Sequence, residues 1–266
     1  MSALATRLAT SRAQDRAALI SYLPVGYPSV EASIEAMAAT VAGGADVVEI
    51  GVPYSDPGMD GPTIQRAVDV AVRAGVGMRD VLHAVEAVAG TGAVAVVMSY
   101  WNPIERYGVD RFARDLAAAG GAGAITPDLI PDEAAEWIAA AEENDLDRVF
   151  LVAPSSTDSR LAMTAAACRG FVYAASTMGV TGTRSAVSSV APALVARVRE
   201  VSNHAVGVGL GVSSGAQAAE VARYADAVIV GSAFVRAVLD AADPAAGAKA
   251  VHALAAELAA GVGQRP

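Results

Sequence analysis

The sequence predicts an α/β fold, a (β/α)8 TIM barrel with extra helices, in a single domain that spans residues 1–266. Three observations lead to this fold class. Short apolar runs recur roughly every 25–35 residues, which is the size of a strand–helix unit. The runs are continuous instead of alternating, as parallel strands buried on both faces require. Alanine-rich stretches with helical periodicity separate them, and no linker or break in composition divides the chain.

Eight apolar runs fit the strands of such a barrel. Each is short and is bounded by glycine, proline or polar residues, which interrupt a strand. In chain order they are Leu19–Leu23, Asp46–Gly51, Ala93–Met98, Ala122–Ile125, Val149–Val152, Phe171–Ala175, Val206–Gly209 and Ala227–Val230. An open, doubly wound sheet built from the same runs is the weaker alternative.

Apolar residues repeat at helical spacing between these runs. The stretches are Ser33–Val41, Ile64–Ala74, Val109–Ala119, Asp132–Ala141, Ser159–Ala167, Pro192–Val201 and Ser214–Tyr224. Met78–Val88 is an extra helix, and the alanine-rich end from Ala233 to Gly261 is helical as well. Four residues stand where helix N-caps belong, namely Ser29, Asp110, Asp158 and Ser213.

Composition excludes several classes of function. The chain is 54% hydrophobic and carries a net charge of -9, so it has a large core and no basic patch for nucleic acid. The single lysine, Lys249, rules out Schiff-base chemistry in the middle of the chain. The single cysteine, Cys168, excludes an internal disulfide.

The N-terminal segment is polar and contains Arg7, Arg12 and Arg16. It lacks the apolar core of a signal peptide, and no run of about eighteen apolar residues suggests a membrane span. We therefore expect a soluble cytoplasmic protein with no membrane partner.

The segment from Val47 to Gln65 carries the clearest chemical signal. Glu49 is a carboxylate inside an apolar run, where burying a charge is costly. Asp56 and Asp60 follow in a loop that prolines and glycines keep out of the sheet. One acid on a strand end and another on a shaped loop form a pattern typical of proton transfer.

Other polar residues follow neighbouring strands. Tyr100 and Asn102 follow the third run, Asp128 follows the fourth, and Tyr173 lies in the sixth. In a (β/α)8 barrel the C-terminal strand ends carry the chemistry, so these residues are expected at one face. Asp128 has a plainer interpretation as a cap for the helix from Asp132.

The last two strands end in glycine, at Gly209 and Gly211 after the seventh run and at Gly231 before Ser232 after the eighth. Glycine lets backbone amides approach a ligand, and helix N-termini favour anions. This pattern predicts a phosphate site; each glycine by itself is more simply a turn residue. No spacing of His, Cys and carboxylates indicates a metal site.

With these features the chain resembles a known family, the alpha subunit of tryptophan synthase, over nearly its whole length. The most specific motif is VEIGVPYSDPGMDGPTIQ, residues 48–65. The supporting motifs are LPVGYP at residues 23–28, MGVTG at 178–182, GLGVSS at 209–214 and GSAFVR at 231–236. The resemblance implies retro-aldol cleavage of indole-3-glycerol phosphate to indole and glyceraldehyde 3-phosphate, with no cofactor in this chain.

The resemblance also implies roles for individual residues. Glu49 would be the proton carrier, and Asp60 would stabilise charge on the indole nitrogen. The indole slot and its surroundings would include Tyr22, Tyr100, Tyr173, Thr181 and Leu210, with Thr181 on a loop that closes onto Asp60. The phosphate would rest on amides of Gly182, Gly211, Gly231 and Ser232.

A partner is implied as well: the beta subunit of tryptophan synthase, which holds pyridoxal phosphate and receives indole. The expected assembly is a heterotetramer of two alpha and two beta subunits. Asp56, Asn102 and Pro103 lie where the family contacts this partner. Several residues depart from the family pattern without removing an acid, namely Tyr54, Met59, Thr177, Met178 and Leu210.

Three alternatives stay open at this point. A different phosphate-sugar barrel enzyme, an isomerase or aldolase, would share the phosphate site, although it would need a strand lysine or a metal cluster for the commonest aldolase chemistries. A binding subunit that has lost catalysis would have little need of both Glu49 and Asp60. A free-standing producer of indole is a variant of the lyase.

Overall fold

The computed structural model describes residues 1–175, 190–209 and 211–264. Nine parallel strand segments form one sheet, in the order β5-β4-β3-β2-β1-β9-β8-β7-β6. The segments are β1 Ala18–Pro24, β2 Val47–Gly51, β3 Val94–Met98, β4 Gly123–Ile125, β5 Asp147–Val149, β6 Leu151–Val152, β7 Phe171–Ala175, β8 Ala205–Gly209 and β9 Ala227–Val230. The predicted α/β barrel is confirmed, and the open doubly wound sheet is wrong.

Phe150 divides the predicted fifth strand into β5 and β6. β5 pairs with β4, and β6 pairs with β7, so the two outer segments of the sheet are separated by one residue of the chain. The Phe150 carbonyl accepts a hydrogen bond from the Tyr173 amide at 3.1 Å, which bridges the interruption. The two segments therefore act as one strand, which joins the β4 side of the sheet to the β7 side and closes the barrel.

Helices cover the outside of the sheet and one end of the barrel. They are α1 Ala3–Ala13, α2 Val30–Ala42, α3 Pro62–Arg73, α4 Met78–Gly90, α5 Trp101–Tyr107, α6 Val109–Ala118, α7 Ala135–Glu143, α8 Asp158–Ala167, α9 Val190–Val201, α10 Gly215–Ala222, α11 Ser232–Leu239 and α12 Pro244–Val262. A single 3-10 turn, Pro131–Glu133, precedes α7. The extra helix predicted over Met78–Val88 is confirmed as α4.

One of the four predicted N-caps is confirmed: the Ser29 hydroxyl accepts a hydrogen bond from the Ala32 amide. The other three predictions are off by one or two residues. Thr157 caps α8 and Ser214 caps α10, each through its hydroxyl. Gly108 stands at the start of α6 with φ 98, a left-handed conformation that favours glycine over a side-chain cap.

Two helices lie where none was predicted, α1 and α5, and the C-terminal helical stretch is two helices instead of one. It breaks between Leu239 and Pro244. Proline lacks the amide that a continuing helix needs, and the Asp243 carboxylate caps the new helix by accepting from the Ala246 amide at 2.8 Å. After the break, α12 packs against α2 and α10.

Strand residues alternate between two cores. Inward residues such as Ile20, Val47 and Val96 form a cluster inside the barrel, and Leu4 and Leu8 of α1 join it. Outward residues pack against the helices in a second, larger cluster. Helix α1 therefore closes one end of the barrel with apolar side chains.

Buried carboxylates at that same end meet arginines. Asp46 precedes β2, and its oxygens lie 2.7 Å from both terminal nitrogens of Arg16. Asp226 precedes β9 and pairs with Arg12 at 2.9 Å and Arg199 at 3.4 Å. Each pairing reduces the cost of burying a charge. Across the described residues, no helix is both long and apolar enough to cross a membrane.

Candidate active site

Glu49 is buried in the wall of the barrel. It lies two residues after the inward-facing Val47 on β2, so its side chain faces the interior. In the parallel register it is flanked by Tyr22 of β1 and Val96 of β3. Only 3% of Glu49 is exposed, and no described residue forms a hydrogen bond with its Oε2. A buried acid with an oxygen left over is available to a ligand.

Burial raises the pKa of Glu49 to about 8, and the negative charge of Asp60 adds to the rise. Desolvation penalises the charged form of a carboxyl, and a second carboxylate nearby penalises it further. Among the described residues, neither Glu49 nor Asp60 has a basic group within ion-pair distance. Glu49 is therefore largely protonated near pH 7.

Asp60 lies in the loop between β2 and α3, and it is 4% exposed. Burial raises its pKa to about 6, while a hydrogen bond from the Tyr100 side chain lowers it. The Gln65 amide group donates to the Asp60 carbonyl at 2.8 Å, which holds the backbone of this acid. Asp60 is therefore mostly ionised near pH 7, in contrast to Glu49.

Tyr22 and Tyr173 face both acids. Burial raises the pKa of each hydroxyl well above its ordinary value, and the charges of Glu49 and Asp60 contribute to the rise. Glycines make room for the rings. A Cβ at Gly51 would lie 2.6 Å from the Tyr22 hydroxyl, and a Cβ at Gly209 would lie 2.5 Å from the Tyr173 hydroxyl.

Tyr100 connects the loop of Asp60 to the next strand. Its hydroxyl accepts a hydrogen bond from the Met59 amide at 2.9 Å and also bonds the Asp60 side chain. Burial raises the pKa of Tyr100 to about 12, and the charge of Asp60 contributes. The hydroxyl therefore keeps its proton and can donate it to the carboxylate of Asp60.

Tyr22, Glu49, Asp60, Tyr100 and Tyr173 thus come together at the C-terminal face, and their roles stay predictions. Their mutual electrostatic influence places them in one cluster. The residues share no metal-binding arrangement: over the described parts of the chain, no group of three His, Cys, Asp or Glu could hold a metal ion.

The predicted phosphate residues lie beside this cluster where the structure describes them. Ser232 begins α11, whose N-cap Gly231 offers no side chain, and a Cβ on Gly231 would lie 3.2 Å from the Tyr22 ring. The first amides of a helix lack partners within it. Gly211 has φ 69, a conformation that favours glycine.

The neighbouring helix α10 differs. Its Gly215 amide donates to the Glu257 carboxylate at 2.7 Å, and the Ser213 amide donates to Gln217 Oε1 at 2.8 Å. Protein side chains already bind these amides, so α11 is the better anion-binding terminus. The sequence had treated both helix starts as equal.

Some predicted residues lie outside the described part of the chain. These are Thr177, Met178, Thr181, Gly182 and Leu210. Their proposed roles in the closing loop, the phosphate site and the indole slot stay predictions.

The predicted partner-facing residues lie at the rim of the same face. Asp56 and Asn102 are exposed, and Pro103 is half-buried. Sequence reasoning missed a bond that joins the loop after β2 to helix α5: Asn102 Nδ2 donates to the Tyr54 hydroxyl at 2.8 Å. The sequence signal was only the tyrosine itself, which stands at position 54 where the family pattern has phenylalanine.

Asp128 has a different role from the predicted cap. Its carboxylate accepts hydrogen bonds from the Trp101 amide at 2.9 and 3.2 Å, so it caps the start of α5 and not the helix from Asp132. The predicted helix from Asp132 begins as the 3-10 turn instead. Since α5 was not predicted, its cap could not be recognised.

Comparisons with known proteins agree with this geometry. The family model described as "Tryptophan synthase alpha chain" matches residues 8–262. The tryptophan synthase alpha chain of Mycobacterium avium (strain 104) is 65% identical over 254 residues, which are 96% of this chain and 92% of that protein. The corresponding protein of Mycobacterium tuberculosis (strain CDC 1551 / Oshkosh) is 66% identical over 251 residues, 94% of this chain and 91% of that protein.

Solved structures are similar as well. A structure of Mycobacterium tuberculosis tryptophan synthase superposes with a TM-score of 0.93 at 63% identity, covering 98% of both chains. The tryptophan synthase alpha chain of Legionella pneumophila subsp. pneumophila gives a TM-score of 0.88 at 30% identity, covering 98% of this chain and 97% of that one.

Proposed function

This chain belongs to the tryptophan synthase alpha chain family, and on that premise we propose that Glu49 and Asp60 divide its catalytic work. The family is a group of carbon–carbon lyases that cleave indole-3-glycerol phosphate to indole for the beta subunit. The observation that supports the proposal best is a difference between two neighbouring acids. Glu49 has its pKa raised to about 8, whereas Asp60 titrates at about 6.

Glu49 gives and takes the proton. In its acid form it protonates the indole carbon that bears the side chain. It then removes the proton from the adjacent side-chain hydroxyl while the carbon–carbon bond breaks and its electrons return to the ring. The hydroxyl carbon leaves as an aldehyde, and Glu49 ends in the state in which it began. An acid that is protonated near pH 7 suits the first step.

Asp60 stabilises charge. Protonating the ring carbon leaves positive charge on the indole nitrogen, and a fixed carboxylate beside that N–H lowers the energy of the charged state. The hydrogen bond from Tyr100 favours the ionised form of Asp60 and fixes its direction. Tyr22, Tyr100 and Tyr173 would form walls of the indole slot, and the family resemblance adds Leu210, which lies outside the described residues.

The phosphate lies at the start of α11. We place it on the amides of Gly231 and Ser232 and of Gly211, with Gly182 adding another. Backbone amides and the helix dipole bind the dianion without a basic side chain. Thr181 would close over the slot and exclude water.

A beta subunit is the expected partner, as the matched tryptophan synthase structures support. We propose an assembly of two alpha and two beta subunits, contacted through Asp56, Asn102 and Pro103, with pyridoxal phosphate in the beta subunit only. The chain would work as one domain, without a cofactor of its own. We propose the cytoplasm as its location, which the family membership supports.

Indole release from indole-3-glycerol phosphate tests the proposal, with and without the cognate beta subunit. We expect slow release alone and faster release in the complex, and near loss of both in Glu49→Gln. Glu86→Gln changes the same chemical group on an exposed surface and serves as the matched control. A folded wild-type chain that releases no indole in either condition would refute the lyase assignment.

A further inference from the structure

Loop two, residues 52–61, carries Asp60 and makes one side-chain hydrogen bond at its outer edge. Asn102, in the first turn of α5, donates from Nδ2 to the Tyr54 hydroxyl at 2.8 Å. The bond joins two elements that are 48 residues apart in the chain. It is a contact between a loop that must place an acid and a helix that follows the neighbouring strand.

Helix α5 is a fixed support for this bond. The Asp128 carboxylate accepts two hydrogen bonds from the Trp101 amide, at 2.9 and 3.2 Å. Ile104 of the same helix is fully buried. Asn102 therefore projects from a helix whose start and inner face are both held in place.

The Tyr54 ring extends this support inward. It packs on the Tyr100 ring with 5.5 Å between the centroids and 36° between the planes. Aromatic pairs at this distance attract each other beyond the area that they bury. The buried Tyr100 hydroxyl in turn binds the Met59 amide at 2.9 Å and the Asp60 side chain. A continuous path of contacts thus runs from Asn102 through Tyr54 and Tyr100 to Asp60.

The two ends of loop two are held, since the Val52 amide donates to the Met98 carbonyl at 2.9 Å and Gln65 donates to the Asp60 carbonyl at 2.8 Å. The middle of the loop, residues 55–58, has few described contacts with the rest of the barrel. Ser55 donates to the neighbouring Asp56 at 2.6 Å, which is a bond within the loop and not to the rest of the barrel. A Cβ at Gly58 would meet nothing within 4 Å, so the middle of the loop is open. The contacts of Tyr54 and Tyr100 are therefore well placed to decide where the loop holds Asp60.

From these contacts we infer that Tyr54 is a positioning residue for the proposed lyase reaction, because its hydroxyl bond to Asn102 and its ring on Tyr100 fix the hydrogen bond that Tyr100 makes to Asp60. The inference rests on the proposed function of Asp60 and adds a residue that contacts no reacting atom. A tyrosine at position 54 supplies a bond that phenylalanine could not make.

Tyr54→Phe is the sharpest variant because it keeps the ring and removes one hydroxyl. The loss of one hydrogen bond predicts that kcat falls by about threefold to tenfold while KM stays within about twofold. Tyr107→Phe is the matched control, since it removes a tyrosine hydroxyl at the C-terminal end of α5 that is bonded to Asp115 of α6 at 2.8 Å. We expect Tyr107→Phe to keep the wild-type rate.

A double-mutant cycle in the full chain separates a shared bond from two unrelated effects. Tyr54→Phe and Asn102→Ala delete the two ends of one bond, so the double variant should be no slower than the slower single variant. The inference would be overturned if the fold-reductions in kcat of the two single variants multiplied in the double variant. It would also be overturned if Tyr54→Phe had the same kcat as Tyr107→Phe.

The titration of Asp60 gives a readout that needs no turnover. Tyr22 of β1, Glu49 of β2, Tyr100 and Tyr173 of β7 all face this carboxyl. Weakening the Tyr100 bond removes an influence that lowers the pKa of Asp60, so its NMR-detected pKa should rise in Tyr54→Phe and stay unchanged in Tyr107→Phe. An unchanged Asp60 titration in Tyr54→Phe would contradict the inference, whereas an inactive wild type with the expected titration shift would contradict only the proposed function.

Discussion

At the end of the barrel that α1 closes, Asp46, Asp147 and Asp226 each pair with an arginine, whereas at the open end Glu49 and Asp60 meet tyrosines. All five carboxylates are nearly inaccessible, with at most 7% of each residue exposed. Burial is therefore the same at both ends, and the partners differ.

The partners decide how each acid ionises. Burial raises the pKa of Asp226, but the Val206 amide and the charges of Arg12 and Arg199 outweigh this, and the net pKa is lowered. Burial raises the pKa of Asp147 on balance, because Ser2 and Arg169 compensate less. For Glu49 burial and Asp60 act in the same direction. The amide and the two arginines around Asp226 thus favour its charged form, whereas Glu49, which has no described cation beside it, keeps a proton for chemistry.

Glu49→Gln should have the largest effect of any change at the open end. The amide cannot give or take the proton, so indole release should fall by about 10³-fold or more. Steady-state release at pH 7, with circular dichroism as a control for folding, measures the loss. If substantial turnover remained, Glu49 would not be the proton carrier.

Asp226→Asn tests the closed end, where stability should change and chemistry should not. The amide side chain loses the ion pairs with Arg12 and Arg199, whose own side chains are about half exposed, and it weakens the hydrogen bond from the buried Val206 amide. The free energy of unfolding at pH 7 should therefore fall by about 1–2 kcal/mol. The folded pKa of Asp226 is lowered, so this contribution is present above the unfolded pKa and is lost as pH falls. Urea unfolding at pH 7 and pH 3 should show a large and a small difference respectively.

A loss of turnover per folded molecule in Asp226→Asn would contradict the claim that the closed end affects stability and the open end affects chemistry. Chemical unfolding gives the folded fraction, and indole release is then expressed against it. We expect the wild-type value.

Asp60→Asn should reduce the rate by about 10²-fold, which is less than the loss at Glu49. Asp60 stabilises developing charge and does not carry the proton, so the amide keeps part of its interaction with the indole N–H. The kinetics of both variants under one set of conditions decide the order. A loss at Asp60 equal to or greater than that at Glu49 would reverse the assignment of roles.

Glu49→Gln should also stabilise the fold at high pH, in the sense opposite to Asp226→Asn. The folded pKa of Glu49 is raised, so its contribution to stability is present below the unfolded pKa and is lost as pH rises through about 8. At pH 9 the variant should gain roughly 2 kcal/mol, since removing a buried charge gains more than burying an amide costs. If the variant and the wild type had equal free energies of unfolding both at pH 5 and at pH 9, Glu49 would not lie in a site that excludes charge.

Much of the barrel could be predicted from the sequence because its strands are continuous apolar runs. The two acids could be proposed as candidates because Glu49 interrupts such a run and Asp60 lies among prolines and glycines. The strand break at Phe150 and the helices α1 and α5 escaped prediction, since they depend on closure of the sheet and on which helix covers which end. Local sequence carries little of that information.

The site was less predictable than the fold. The family resemblance assigned Tyr22, Tyr100 and Tyr173 to the indole slot, but nothing in the sequence indicated that Gly51 and Gly209 leave space for two of the rings. Side-chain pairs distant in the chain, such as Tyr54 with Asn102 or Asp128 with Trp101, leave no periodic signal. The contact of Glu257 in α12 with the Gly215 amide at the start of α10 is another such pair.

The pH dependence of kcat/KM tests most directly whether the open end keeps one acid protonated and the other ionised. We predict a bell that rises as Asp60 ionises near pH 6 and falls as Glu49 loses its proton near pH 8. The substrate phosphate also titrates near 6, so Asp60→Asn is measured beside the wild type to remove the contribution of Asp60 alone. A rate that keeps rising through pH 8 would mean that Glu49 acts in its ionised form, which contradicts the account.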